Sequence, residues 1–201
     1  MNTEMQLFSV SRKRKPKYEQ GTAHKVYENK LNQDFHSDDI NQKCCTDFTY
    51  LFLTDGSKQY NCTIIDLHDH SVVASITDQN ITANLAKRTL EKAIESQPRI
   101  VLNNLMLHSD QGSQYTSKEF TEFCEKLGIT QSMSKAGYPY DNAPMERYFN
   151  TLKSDLIYQH YYHTKEELYM AVEEFAYVQY NHVRPHSYNN YKTPYKARYG
   201  G

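Results

Sequence analysis

Between residues 45 and 77 the chain carries three runs of β character joined by connections too short for anything but turns. The run 45–53 is rich in Thr, Phe and Tyr and ends before Asp55-Gly56, a hairpin signal. The run 60–66 follows, then 71–77 after a short turn at His68-Asp69. Parallel neighbours need a crossover of a dozen or more residues, so these three strands must pair antiparallel as a meander. One half of a sheet is therefore constrained before the rest of the chain is considered.

The remainder alternates between helix and strand. Residues 80–96 are helix-like, with Leu85, Leu90, Ala93 and Ile94 toward one side; 105–109 reads as a fourth strand ending at Asp110. Ser117 can cap a helix whose Phe120, Phe123, Cys124 and Leu127 fall at helical spacing, and Gly128 closes it. A short fifth strand, 129–133, leads through a Gly/Pro/Tyr-rich loop at 135–141 to a helix over 142–157. Another helix is expected over 165–181, with Leu168, Val172 and Phe175 on one side, and the tail from Arg184 reads as irregular. A meander followed by alternating helices and strands predicts an α/β fold, a five-stranded mixed sheet flanked by helices. We expect residues 1–40 to be a basic, largely irregular segment, 41–160 the core, and 161–201 a C-terminal helix and tail packed on it.

Charge is informative only in its distribution. The formal net charge of −1 favours no polyanionic partner, but residues 1–43 carry +2, 44–150 carry −4 and 151–201 carry +1. An acidic centre between basic flanks suits a metal-dependent phosphate site, because a cation reverses the local field; ordinary solvated surface charge explains the same numbers. The basic cluster Arg12-Lys13-Arg14-Lys15-Pro16-Lys17 reads either as a DNA-contacting arm or as a solvated linker. No apolar run approaches the roughly 20 residues of a membrane span, and no signal peptide opens the chain. A cytoplasmic protein without membrane contact is the expectation. The four cysteines form no CxxC pair and are expected to be reduced core residues. His24, His36, Cys44 and Cys45 fit no zinc spacing.

Three acids stand out. Aspartate is depleted in strands, yet Asp47 lies in one among Phe48, Tyr50 and Phe52. Asp110 follows an apolar strand directly, at a strand C-terminus, where open α/β sheets place their sites. Glu146 opens a helix whose Met145, Phe149, Leu152 and Leu156 form a buried stripe, with Glu146, Asn150 and Lys153 on a second stripe about 100° round. Each has a local explanation as well: an exposed edge-strand position, a loop turn-former, a first-turn acid suited to the helix dipole. Together they differ, because two carboxylates about 4 Å apart repel by roughly 4 kcal/mol at an effective dielectric of 20. A divalent ion relieves that repulsion. Oxygen-only donors select Mg²⁺ or Mn²⁺ over zinc, and two such ions activate an attacking oxygen and stabilise a leaving one.

Four blocks now carry a resemblance: Cys45-Thr46-Asp47-Phe48-Thr49-Tyr50, His108-Ser109-Asp110-Gln111-Gly112-Ser113, Asp141-Asn142-Ala143-Pro144-Met145-Glu146 and Tyr180-Asn181-His182-Val183-Arg184-Pro185-His186. In this order, from about Asn41 to Tyr199, the chain resembles the catalytic region of bacterial insertion-sequence transposases of the OrfB type, within the retroviral-integrase-like DDE superfamily. The resemblance implies an RNase H-like fold, with Asp47, Asp110 and Glu146 as metal-binding catalytic acids and two Mg²⁺ or Mn²⁺ ions. It also implies strand cleavage and strand transfer on DNA, both transposon ends and target. Lys153, seven residues after the glutamate, matches the family pattern and with Asn150 and Arg147 is the expected DNA contact.

Two departures accompany it. Cys44 stands where the family usually has tryptophan, and the helical DNA-binding region expected before the catalytic domain is absent or reduced to the basic stub. End recognition is then expected to need homo-oligomers or a partner protein. A truncated, inactive remnant that only binds DNA is the alternative, and a related nuclease that only hydrolyses is a third reading. His108 reads more readily as a structural histidine than as a ligand. Thirteen of the 18 tyrosines follow residue 137, a set suited to packing and, for some, to base stacking.

Overall fold

The computed structural model of the protein describes residues 23–97 and 100–200; the basic cluster at 12–17 lies outside them. The meander is present as β1 (Lys43–Phe52), β2 (Lys58–Asp66) and β3 (Val72–Asp78), all antiparallel. Gly56 at φ +83° makes the first turn and His70 at φ +59° closes the second. Helix α1 (Ala83–Ser96) then returns the chain to β4 (Met106–Ser109), which pairs parallel to β1. Helix α2 (Lys118–Lys126) performs the same crossover to β5 (Thr130–Met133), parallel to β4. The mixed sheet has the order β3-β2-β1-β4-β5, so β1 is its central strand.

Side chains alternate across a strand, so neighbouring residues feed opposite faces. Cys44 and Ile64 join Ala86, Leu90, Leu107, Phe120 and Cys124 under α1 and α2. Cys45 and Ile65 join Met145, Tyr148, Leu152, Leu168 and Val172 under α3 (Ala143–Asp155) and α4 (Lys165–Glu174). All four cysteines are buried and unpaired, as expected of core residues. The helix starts follow local chemistry: Ser117 accepts from Phe120 N, and Thr164 and Glu167 form a reciprocal capping box. None of the described helices is long and apolar enough to cross a membrane.

Two expectations need correction. The helix expected over 165–181 is α-helical only to Glu174; Phe175–Val183 winds as a π-helix. Phe175 and Tyr180 both face the core, a spacing of five that ordinary winding cannot satisfy. Asn181 fixes the wider turn by bonding both the N–H and the carbonyl of Val72, at 2.9 Å each. The tail is also more ordered than expected. Thr193 caps α5 (Pro194–Tyr199), and α5 carries Arg198 into a buried cluster with Asp66 and Asp69. Residues 23–42, by contrast, form neither helix nor strand beyond isolated turns, yet Leu31 is buried in the core.

Candidate active site

The sheet's register brings Asp47 and Asp110 together. Parallel pairing of β1 with β4 ends at Cys45 opposite His108. Asp47 and Asp110 each lie two residues further on, an equal advance of roughly 6.6 Å along both strands. Paired residues of parallel strands share a face, so both aspartates continue the Cys45 side, the one α3 covers. An exposed edge position for Asp47 is ruled out, because β1 is central; the residue is half-buried and Asp110 is exposed.

Local bonds set each carboxylate. Asp47 Oδ1 accepts from Phe48 N at 2.7 Å, and Asp110 Oδ1 from Gly112 N at 2.8 Å. A Cβ on Gly112 would lie 2.8 Å from that same Oδ1, so the turn depends on glycine for room. Tyr115 is buried in the core under α1 and α2. Its ring packs on Phe48 and Phe120, and its hydroxyl lies 3.0 Å from Thr46 Oγ1. Burial pushes its ionisation well above the ordinary phenol range, and the charges of Asp47 and Asp110 push the same way. The hydroxyl is therefore neutral and in electrostatic reach of both.

Glu146 lies in the first turn of α3, exposed, with Pro144 in that turn as helix starts favour. Asn142 seats that end of the helix on β1: its Nδ2 donates to the carbonyl of Thr46, the residue before Asp47, at 3.2 Å. Asn150 is exposed and Lys153 half-buried on the stripe of Glu146. Arg147 is exposed and lies on the other side, where its charge helps hold His70 and His186 below the usual histidine range. His108 is structural. Ser132 Oγ accepts from Lys30 N and Leu31 N, so its own hydrogen goes to His108 Nδ1, and His108 Nε2–H donates to Ser134 Oγ. Burial lowers the His108 pKa to about 4.

Among the described residues, no three His, Cys, Asp or Glu side chains are gathered closely enough to hold an ion. The donor chemistry nevertheless suits a hard cation: one carboxylate midway along β1, a second just past the end of the neighbouring β4, a third in the first turn of α3, and Asn142 Oδ1, buried with no hydrogen-bond partner. The sequence alone did not single out Tyr115, Asp141 and Asn142, although Asp141 and Asn142 open the block that ends at Glu146. Asn142 was readable as the residue before a helix with proline in its first turn.

Residues 38–139 match the integrase core domain family, and 127–194 match a second integrase core domain description. The chain belongs to the integrase core domain family. It is 34% identical over 165 residues to the transposase InsF for insertion sequence IS3A of Escherichia coli K12, covering 81% of this chain and 56% of InsF. A 31 kDa protein of insertion element IS600 from Shigella sonnei is 33% identical over 162 residues, covering 81% of this chain and 58% of its own length. The chain thus spans little more than half the length of these relatives. In fold it is similar to the HTLV-2 integrase catalytic core domain, solved in complex with magnesium, with a TM-score of 0.63 at 17% identity over 81% of this chain and 99% of that one. The integrase core of this chain has the expected RNase H-like fold, with the expected five-stranded mixed sheet flanked by helices.

Proposed function

We propose that this chain is the catalytic core of an insertion-sequence transposase that cuts DNA and joins the freed end to a target, with Asp47, Asp110 and Glu146 as its acting acids. The observation that supports the reading is the register: Asp47 and Asp110 each stand two residues beyond the last β1–β4 pair, and Glu146 lies in the first turn of α3, the helix that packs on the Cys45 face of the sheet. Asp47 and Asp110 would hold Mg²⁺ or Mn²⁺, and Glu146 would complete the set for two ions. Such ions, when bound, make the attacking oxygen more nucleophilic and neutralise charge on the leaving one.

The chain's own residues orient and position. In the first step a water oxygen bonds to a transposon-end phosphorus and the bond to the 3′ oxygen breaks, leaving a 3′-hydroxyl. In the second, that hydroxyl bonds to a target phosphorus and displaces a target 3′ oxygen. One phosphodiester replaces another, so no nucleotide cofactor is needed, and catalysis is a matter of positioning and electrostatics. Tyr115, buried and neutral, props Thr46, the residue before Asp47. Lys153, two turns along the same stripe as Glu146, contacts phosphate with Asn150 and sets DNA position without reading sequence, and Arg147 meets the DNA from the other side of α3. End recognition is supplied by further copies of the chain or by a partner protein.

The test is strand joining with Mg²⁺ on pre-cleaved DNA whose ends are taken from the sequence on either side of the gene. Asp110→Asn should abolish joined product while the variant stays folded. Undiminished joining by Asp110→Asn would sink the assignment, and release of cut strands without joined product would make the protein a nuclease.

A further inference from the structure

The two residues that precede α3 face in different directions. Asn142 reaches the sheet at Thr46, and Asp141 reaches the segment before the sheet. Asp141 is 4% exposed, although it sits in a single 3₁₀ turn, Pro139–Asn142, between β5 and α3. Its Oδ2 accepts from Asn29 Nδ2 at 2.8 Å and from Lys135 N at 3.0 Å, and its Oδ1 accepts from Gln33 Nε2 at 2.8 Å. Every one of these donors is neutral, and two come from more than a hundred residues away in the chain.

The segment that receives Asp141 is itself fixed. Lys30 N and Leu31 N donate to Ser132 Oγ at 2.9 and 3.1 Å, and Leu31 is buried in the core. Asn29 Oδ1 accepts from Asn32 N, closing a turn in which Asn32 and Gln33 both take positive φ, 46° and 62°. Such angles persist in residues with side chains only where the surroundings over-determine them, and here they aim Gln33 at Asp141. Further back, His24 N and Lys25 N bond the carbonyl of Thr116, just past the turn that carries Asp110. Residues 24–33 therefore run along the β4 and β5 ends on the site's side.

We propose that Asp141 is a positioning residue for Glu146: it clasps the 135–142 loop to residues 29–33, while Asn142 seats the same loop on β1, so that the start of α3 is held from both sides. This rests on the reading of Glu146 as an acting acid. The clasp also makes the site depend on a stretch of chain that lies before the first strand and contributes no acid to it.

The experiment uses the full chain with Asp141→Ala, Asp141→Asn, Gln33→Ala and Asp110→Asn. Three quantities are read: amide hydrogen exchange over residues 135–146, Mn²⁺ affinity by calorimetry, and joining. Asp141→Ala should speed exchange across 135–146 at least tenfold. It should also weaken Mn²⁺ binding by about 10-fold, the size usual when a residue supporting a metal ligand is lost. Asp141→Asn should stay within about threefold of the parent, since the amide oxygen keeps Asn29 and Lys135 while Gln33 turns its own oxygen to the new NH₂. Rescue by asparagine separates a clasp from an acting carboxylate, which could not tolerate it. Loss of Mn²⁺ binding and joining in Asp141→Asn as complete as in Asp110→Asn overturns the proposal, and so does unchanged exchange in Asp141→Ala. Should Asp141→Ala fail to fold, Gln33→Ala decides by the same exchange measurement: faster exchange over 135–146 supports the clasp, parental exchange ends it. Joining that survives Asp110→Asn counts against the proposed function instead, and leaves the exchange result to stand by itself.

Discussion

The protein handles carboxylates in two ways, at two ends of the same sheet. Asp66 and Asp69, at the β2–β3 turn, are 0% and 1% exposed, and the guanidinium of Arg198 lies between them. Asn41, Ser71 and Gln97 also accept from the Arg198 guanidinium, and backbone N–H groups of Asn41, His68 and Ser71 donate to the aspartates. Asp47, Asp110 and Glu146 are half-buried or exposed, in mid-strand, just past a strand end and in a helix's first turn. The first set brings its cation with it from α5 and is closed. The second keeps its oxygens within reach of solvent. Acid content does not distinguish a structural cluster from a candidate site; access does.

The sharpest way to break that contrast is to remove the built-in cation. Arg198→Ala leaves two carboxylates buried without their counter-charge, and the usual cost is ~3–5 kcal/mol. For a chain of this size the melting temperature should fall by roughly 10 °C, read by circular dichroism. A fall of only a degree or two would mean the Asp66–Asp69 cluster is no more closed than the site. Asp110→Asn should behave in the opposite sense. Its joining rate should drop about 100-fold or more, ~2.7 kcal/mol of barrier, while stability moves by less than ~0.5 kcal/mol, as for an exposed substitution.

Acid titration tests the buried side of the comparison more gently. Burial lowers His108 to about 4 and His70 to about 3, the latter with help from the charge of His186. Above pH 6.5 both rings are neutral whether the chain is folded or not, and their contribution is fully present. Below it, the unfolded chain takes up protons that the fold refuses, so stability falls as pH drops from about 6.5 toward 4. The slope is up to ~1.4 kcal/mol per pH unit for each ring, and less for His70, which keeps some contact with solvent. Urea midpoints across this window should decline, and His108→Gln should flatten the decline. An equally steep decline in that variant would show that other groups set it.

How much of this was readable in advance depends on how local the cause is. The meander, the Ser117 cap and the Gly128 stop are written in adjacent residues, and all three stand as expected. The common position of Asp47 and Asp110 was partly legible, since Asp110 follows a strand end; that the strand is β1's parallel neighbour required the crossover. Arg198 was illegible because a six-residue helix has too little periodicity to announce itself, and its partners lie about 130 residues away. The π-helical turn escaped for a similar reason: the inward placement of Tyr180 is decided by Asn181 bonding a distant strand. Asp141 resembled any other loop acid until Asn29 and Gln33 were seen to meet it.

Gly112 offers the finest test of the open set. A methyl group there would meet Asp110 Oδ1 at 2.8 Å and Gln114 Oε1 at 3.2 Å, both side-chain atoms, and nothing from the distant backbone. Its φ is not in the left-handed region, so alanine costs the turn little in itself. Something must still give, and the Asp110 carboxylate is the atom group closest and most able to swing. Its bond from Gly112 N would then lengthen and its oxygens would leave the place the turn assigns them. The expected outcome for Gly112→Ala is about a tenfold loss of joining, ~1.4 kcal/mol of barrier, with a melting temperature inside a few degrees of the parent. Full activity in this variant would show that the orientation of Asp110 is not set by its own turn. In that case the open carboxylates are aligned by what binds them, and the difference from the Arg198 cluster is one of occupancy as well as access.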